Sequence, residues 1–313
     1  MGRDKAGQSD FAFDVRFFRL SEELQPYFTA LYSFEFDCRN GAWIDDFLHP
    51  EWCAMRFFTA GPPPAASIVP EPREVRWPFV VSGPTSRAVD FSVTTCRVIG
   101  LGLHPAGFAR YCEGSADTLT NTIVNGGIHP AFAAFEPLLD IVDRTGTDRD
   151  EAARRIDEYV LSLKPRKVAG MDRILACQEA LRDPEIADVA ALSDAVGVSR
   201  RTLERLCARH FGFSPKVLLR RQRFLRSLAR FMLESPDSWS AALDGQYYDQ
   251  AHFVHDFRSF MGMTPSEYAS MDHPILDRIM AQRMADAGAA PQTDLPTVLR
   301  YGDERLTQKP GKA

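Results

Sequence analysis

Asp188-Val-Ala-Ala-Leu-Ser-Asp-Ala-Val-Gly-Val-Ser-Arg-Arg-Thr-Leu-Glu-Arg-Leu-Cys-Ala-Arg-His-Phe-Gly212 decides the fold, because it reads as two short helices broken by one tight turn. Asp188 is a helix start: its carboxylate accepts from the free backbone N–H groups of the first turn, and the helix runs to about Val196. Gly197 ends it. Val198 is a lone apolar residue inside the turn, suited to plug the angle between two helices, and Ser199 caps the second helix. On that helix Leu203, Leu206, Cys207 and His210 or Phe211 follow helical spacing toward the first, while Arg201, Glu204, Arg205 and Arg209 project from another face. Such a helix suits a major-groove reader, since arginine bonds bidentately to the guanine edge.

Charge points the same way. Between residues 200 and 230 stand Arg200, Arg201, Arg205, Arg209, Lys216, Arg220, Arg221, Arg223, Arg226 and Arg230 against the single acid Glu204, a local balance of +9 on a chain whose total is −5. A basic segment so concentrated in an acidic protein predicts a local polyanion site rather than a generally adhesive surface.

Beyond Gly212, Ser214 caps and Pro215 begins a new helix that reaches about Leu233, with Leu218, Leu225, Leu228, Ala229 and Met232 as its apolar stripe. Some eighteen residues at 1.5 Å each span roughly 27 Å, enough to separate two reading heads by about one turn of DNA. The pattern then repeats: Asp237-Ser-Trp-Ser-Ala-Ala-Leu is a helix start, Gly245-Gln-Tyr-Tyr-Asp a turn, and Asp249 the cap of a further helix. Phe253, Phe257 and Phe260 form its buried stripe, leaving Gln250, Ala251, Val254, His255 and Arg258 for the opposite side.

Two helix-turn-helix units joined by one long helix, and closed by Tyr247-Tyr-Asp-Gln-Ala-His-Phe-Val-His-Asp-Phe-Arg-Ser-Phe-Met-Gly-Met-Thr-Pro-Ser-Glu-Tyr268, resemble the DNA-binding domain of the AraC/XylS family of bacterial transcription regulators. The resemblance covers residues 171–270. It implies that both recognition helices enter successive major grooves on one face of the duplex. Matched residue by residue, it implies base contacts by Arg201, Glu204 and Arg205 in the first unit and by Gln250, Ala251, Val254 and His255 in the second. Arg200, Arg209 and Arg258 complete the candidate DNA-binding set. Two positions depart from the family pattern. Gln246 stands where the family usually has glycine, so that Gly245 would take the unusual backbone angle if the turn shifts by one residue. His255 stands where it usually has arginine, and a histidine holds phosphate less strongly near neutral pH.

The first half is different in texture. Period-two runs, Phe11, Phe13, Val15 and Phe17, then Val89, Phe91, Val93 and Thr95, then Ile99, Leu101 and Leu103, predict half-buried strands punctuated by Pro62-Pro-Pro, Pro70-Glu-Pro and Gly83-Pro84. Short helices are expected after His104-Pro and His129-Pro, and an amphipathic helix over 148–163 carries Ile156, Tyr159, Val160 and Leu163. Leu48-His-Pro-Glu-Trp-Cys-Ala-Met-Arg-Phe-Phe and Val98-Ile-Gly-Leu-Gly-Leu-His-Pro-Ala-Gly-Phe resemble, more loosely, the cupin-like amino-terminal domains of some AraC-type regulators. In the family such domains bind an effector, pair subunits, or do both.

The predicted fold class is therefore α+β: a sheet-rich, cupin-like sensor or dimerisation domain with appended helices over 1–163, a polar linker over 164–170, an all-α DNA-binding domain over 171–270, and a largely mobile tail over 271–313 that opens with a possible helix, 274–287. With 313 residues and 45% apolar content the chain is long enough for two cores. The first ten residues have no apolar run for a signal peptide and no run of eighteen apolar residues occurs, so a cytoplasmic protein is expected. The six cysteines form no Cys-x-x-Cys pair and are expected as buried reduced thiols, without a disulfide framework or structural zinc.

The expected function is that of a transcription regulator specific for double-stranded DNA, with a small-molecule effector, RNA polymerase and a second copy of the chain as further candidate partners. No catalytic residue, metal or cofactor is expected. The alternative is a cupin-like catalytic domain, metal-free or metal-dependent, fused to a DNA-binding module. Against it, cupin enzymes usually group histidines and a carboxylate around a metal, often starting from His-x-His, which is absent, and His49, His104 and His129 each precede proline. Gly100-Leu-Gly102 is too little for a nucleotide loop, and no Gly-x-Ser-x-Gly or His-Glu-x-x-His occurs. In a third reading the second unit serves as a protein-interaction surface.

Overall fold

A computed structural model describes residues 11–234 and 242–285. The helix start expected at residues 237–241 and the tail from 286 onward lie outside the described residues.

The front half consists of two antiparallel sheets. The larger takes the order β1 (Phe11–Phe18), β2 (Phe28–Cys38), β9 (Cys96–Leu103), β4 (Ala54–Thr59), β7 (Phe79–Ser82), β10 (Ile123–Asn125). The smaller takes β3 (Ile44–Leu48), β8 (Val89–Val93), β5 (Ala65–Ile68), β6 (Glu74–Val75). Alternation in β1 does put Phe11, Val15 and Phe17 inside and Ala12, Asp14 and Arg16 outside. Thr95 falls in the turn between β8 and β9 rather than on a strand. There its hydroxyl accepts from the Cys38 N–H at 2.9 Å and donates to the Cys38 carbonyl at 3.1 Å.

Both faces of the larger sheet are covered, which explains the strands that the period-two pattern missed. β2 is buried almost throughout: Ala30, Tyr32, Phe34 and Phe36 pack in the space between the two sheets, and Phe28 and Leu31 pack on the opposite side. That opposite side is roofed by α1 (Pro105–Tyr111), α2 (Pro137–Thr145) and α3 (Arg149–Ser162), with Phe108, Leu138, Ile156 and Val160 in the shared core. A strand buried on both faces reads as a plain apolar run, as Phe79-Val-Val does in β7, whereas β2 keeps Ser33, Glu35 and Asp37 between its apolar residues. His104 and His129 occupy the positions just before their helical segments, as the His-Pro pairs suggest. Burial, reinforced by Arg182, pushes the His104 imidazole down to about 3.

The second half is helical: α4 (Met171–Ala180), α5 (Val189–Val196), α6 (Arg200–Leu206, extended by a π turn, Cys207–Phe211), α7 (Pro215–Glu234), α8 (Gln250–Met261), α9 (Pro265–Ala269) and α10 (Leu276–Ala285). None of the helices among the described residues is long and apolar enough to cross a membrane. All six cysteines are buried and reduced, with the Cys177 and Cys207 sulfurs 3.8 Å apart.

The halves are fastened to each other along their length. Arg221 of α7, 1% exposed, reaches into the front half, where its guanidinium lies 3.7 Å over the Trp52 ring and donates to the carbonyls of Thr85 at 3.0 Å and Glu51 at 3.3 Å. Gln178 of α4 accepts from the Ala106 N–H at 3.2 Å and donates to the Pro26 carbonyl at 3.1 Å. The Ala88 N–H donates to the Phe260 carbonyl at 2.7 Å. The stretch read as a polar hinge is also pinned, since the Arg166 N–H donates to the Arg110 carbonyl at 2.9 Å. The tail helix docks too: Ile275, Leu276 and Ile279 are buried.

Candidate nucleic-acid interface

Local chemistry builds the first helix-turn-helix as its residues dictate. The Asp188 carboxylate accepts from the N–H groups of Ala190 and Ala191 at 2.8 and 2.9 Å, which fixes the start of α5. Gly197 closes it at φ +68°, a conformation that a side chain would strain. Val198 then packs partly buried in the angle, and Ser199 Oγ accepts from the Thr202 N–H at 3.3 Å to begin α6. Leu203, Cys207 and Phe211 are fully buried against α4 and α5, while Arg200, Arg201, Glu204, Arg205 and Arg209 are exposed. Arg205 and Arg209 line an open groove together with Arg166 and Arg173 from the hinge and α4 and Ser115 and Asp117 of the front half. The π turn rests against the front half, where Ser115 Oγ donates to the Arg209 carbonyl at 3.3 Å. A Cβ on Gly212 would meet Thr120 Cγ2 at 2.7 Å.

The second unit follows the same plan. Asp249 Oδ1 accepts from the His252 N–H at 2.7 Å and starts α8, and Thr264 and Glu267 form a reciprocal capping box at α9. Phe253, Phe257 and Phe260 are buried on Phe224, Leu228 and Tyr268. Gln250, Ala251, His255 and Arg258 are exposed and Val254 is half-buried, all along one open face that also holds Ser259. The turn differs from the sequence expectation. Gly245 does not adopt a left-handed angle and neither does Gln246. Instead the Gln246 N–H is fixed by Asp244 Oδ1 at 2.9 Å, and its side-chain amide donates to the Pro184 carbonyl in the loop that leads into the first unit. A residue with a long amide here ties the second unit to that loop, which a glycine could not do.

The basic segment separates into two populations, and this corrects the reading of all ten bases as one polyanion site. Arg220 and Arg223 both pair with the buried Asp256 of α8, at 2.6 and 3.0 Å, and Arg223 also lies 4.5 Å from the centre of the Tyr247 ring. Arg226 pairs with Asp244 at 2.5 Å, Arg230 donates to the Leu243 carbonyl at 3.1 Å, and Arg221 is inside the front half. These five fasten α7 to its neighbours. Arg200, Arg201, Arg205, Arg209 and Lys216 stay exposed, and none of them forms an ion pair among the described residues. Five exposed bases opposed by Glu204 make a smaller but better placed positive surface.

Asp256 was not legible as a site residue. It is fully buried, and burial alone would raise its pKa, but the hydrogen bonds and charges of Arg220 and Arg223 outweigh that and hold it below the usual carboxylate range. Tyr247 Oη donates to it at 3.3 Å, and the His252 and His255 rings lie 4.0 and 3.7 Å away. The only available signal was arginine at 220 and 223, one helical turn apart, facing an acid inside an apolar stripe. Tyr248, 93% exposed in the turn just before α8, is a second surface residue that periodicity did not single out. Among the described residues no three of His, Cys, Asp or Glu stand where they could hold a metal ion.

A family model described as a helix-turn-helix domain matches residues 192–271. No curated protein matches the chain. Among solved structures it is similar to ToxT from Vibrio cholerae O395, at 12% identity over 83% of this chain and 96% of that one, TM-score 0.39. It is similar also to ToxT from Vibrio cholerae strain SCE256 bound to an unsaturated fatty acid, at 12% identity over 85% and 96%, TM-score 0.36. A third is the AraC-like transcriptional activator CuxR, at 13% identity over 70% and 87%, TM-score 0.25. The paired units, the helix that joins them, the closing run to Tyr268 and the family match all fall on the same residues, so the carboxyl-terminal region of this chain is a DNA-binding helix-turn-helix domain of the AraC type.

Proposed function

We propose that the chain is a sequence-specific regulator of transcription in which α6 and α8 read successive major grooves on one face of a duplex, and in which the front half binds an effector or pairs subunits. The observation that carries this reading is the division of the arginines. Those on α7 are consumed internally, while those on the outer face of α6 are left exposed with no ion pair among the described residues. Arg201, Glu204 and Arg205 are the base readers of the first unit, and Gln250, Ala251, Val254 and His255 those of the second. Arg200, Arg209 and Arg258 hold phosphates, with Arg166 and Arg173 extending the positive wall. The twenty residues of α7 span about 30 Å, close to one turn of B-DNA, and supply the separation that two adjacent grooves require.

Fragments of the source genome selected on the full chain test this directly. A selected fragment is expected to bind about a thousandfold or more tighter than random duplex of equal length at physiological salt, with affinity falling steeply as salt rises. Equal affinity for both would remove sequence reading from the account.

A further inference from the structure

The helix that follows the second unit is built into the front half. Ile275 and Ile279 are 1% and 9% exposed and belong to the apolar core between the two sheets. α10 lies along β1 and touches β3, each the terminal strand of its sheet, so it closes the seam where the sheets part. The front half supplies the cap of this helix: the Asp46 carboxylate on β3 accepts from the N–H groups of Ile275 and Leu276, both at 2.9 Å. His273 joins the latch, with Nδ1 3.2 Å from Asp46 Oδ1 and Nε2 3.1 Å from the Tyr268 carbonyl. Arg278 fastens the far side, lying 5.2 Å over the Phe11 ring.

Ile275 and Ile279 also line a cavity of about 50 Å³ between the sheets, together with Phe34, Phe58, Arg56 and Ser82. That volume admits a water or two, whereas sites for small molecules run to about 300–1,000 Å³. Arg56 is already committed: it pairs with both oxygens of Glu51 at 2.7 and 2.9 Å and donates to Ser82 Oγ at 2.9 Å. With its one cation neutralised and the rest of the wall mostly apolar, the space between the sheets selects against a charged occupant.

We propose that this space is the binding site of an uncharged, largely apolar small molecule and that α10 is its gate, Ile275 and Ile279 filling the volume that the ligand takes. Entry of the ligand displaces α10 and unseats the Asp46 cap. The displacement reaches the second reading unit through Tyr268, which stacks on His273 with ring centres 4.0 Å apart and packs on Phe257 of α8 at 5.5 Å. The proposal rests on the sensor half of the function proposed above, and its test involves no DNA, so its failure is distinguishable from a failure of the DNA reading.

The full chain is titrated with N-phenyl-1-naphthylamine, an uncharged probe that fluoresces in apolar surroundings. Ile279→Ala, which trims the plug, is expected to bind it about tenfold or more tighter than the wild type. Saturating the wild type with the probe is expected to speed amide exchange at residues 276–282 and slow it in β8. The exchange experiment needs no variant and so stands if Ile279→Ala does not fold. Equal affinity in the two proteins, or exchange in α10 that is unchanged or slowed by bound probe, would overturn the gate.

Discussion

Asp256→Ala is expected to lower folding stability by about 3 kcal/mol, measured as a fall in denaturant midpoint at unchanged slope. The carboxylate is fully buried and is shared by Arg220 and Arg223, which come from a different helix. Its removal leaves two guanidinium groups facing each other with nothing between them, and Tyr247 Oη loses its acceptor. Because the Arg220 side chain keeps 27% of its surface in water, part of the loss is recovered by hydration, which sets the figure at the low end of what broken buried pairs show. The pH dependence follows from the lowered pKa. A carboxylate whose folded pKa lies below its unfolded value stabilises the fold above the unfolded pKa, near 3.9, and loses that contribution as pH falls through the folded value. Wild-type protein is therefore expected to approach the variant in stability below about pH 4, and a stability difference that persists undiminished in acid would contradict the ion-pair account.

Arg205→Ala is expected to weaken binding to the preferred duplex by about 1–3 kcal/mol, up to roughly a hundredfold, while leaving binding to random DNA nearly unchanged. The side chain is exposed on the outer face of α6, and Leu203, Cys207 and Phe211 hold the helix from behind. Such support lets a planar guanidinium meet a base edge without the helix itself moving. Arg209→Ala makes the control. It sits at the end of the helix where Ser115 of the front half bonds its carbonyl, and it should weaken all duplexes alike. Fluorescence anisotropy on selected and random duplexes separates the two outcomes. Equal loss on both duplexes for Arg205→Ala would reduce it to a phosphate contact.

The carboxyl-terminal half was readable because its signals are local. Asp188, Ser199 and Asp249 cap helices that start one residue later, and Phe253, Phe257 and Phe260 repeat at helical spacing, so neighbours in sequence already fix the answer. What the sequence could not show is where long side chains end. Arginines 220, 223 and 226 look like a solvated basic stripe until α8 and the turn that precedes it bring Asp256 and Asp244 against them. Arg221 lies between them in the chain, yet its side chain enters the other half altogether. The front half was readable only in part. β1 and β8 announced themselves by alternation, and β2 alternates too, with Ser33, Glu35 and Asp37 between Tyr32, Phe34, Phe36 and Cys38, whereas β4 and β7 carry apolar residues on both faces and gave no period. α10 was visible as a short helix, but its docking depends on Asp46, more than two hundred residues earlier, and no local pattern encodes that partnership.

Hydroxyl-radical footprinting of the full chain on a selected fragment tests most directly whether α6 and α8 read one duplex. Two protected patches on the same face, centred about one helical turn or 10 base pairs apart, are expected. Protection of a single groove, or of two patches on opposite faces of the duplex, would contradict it.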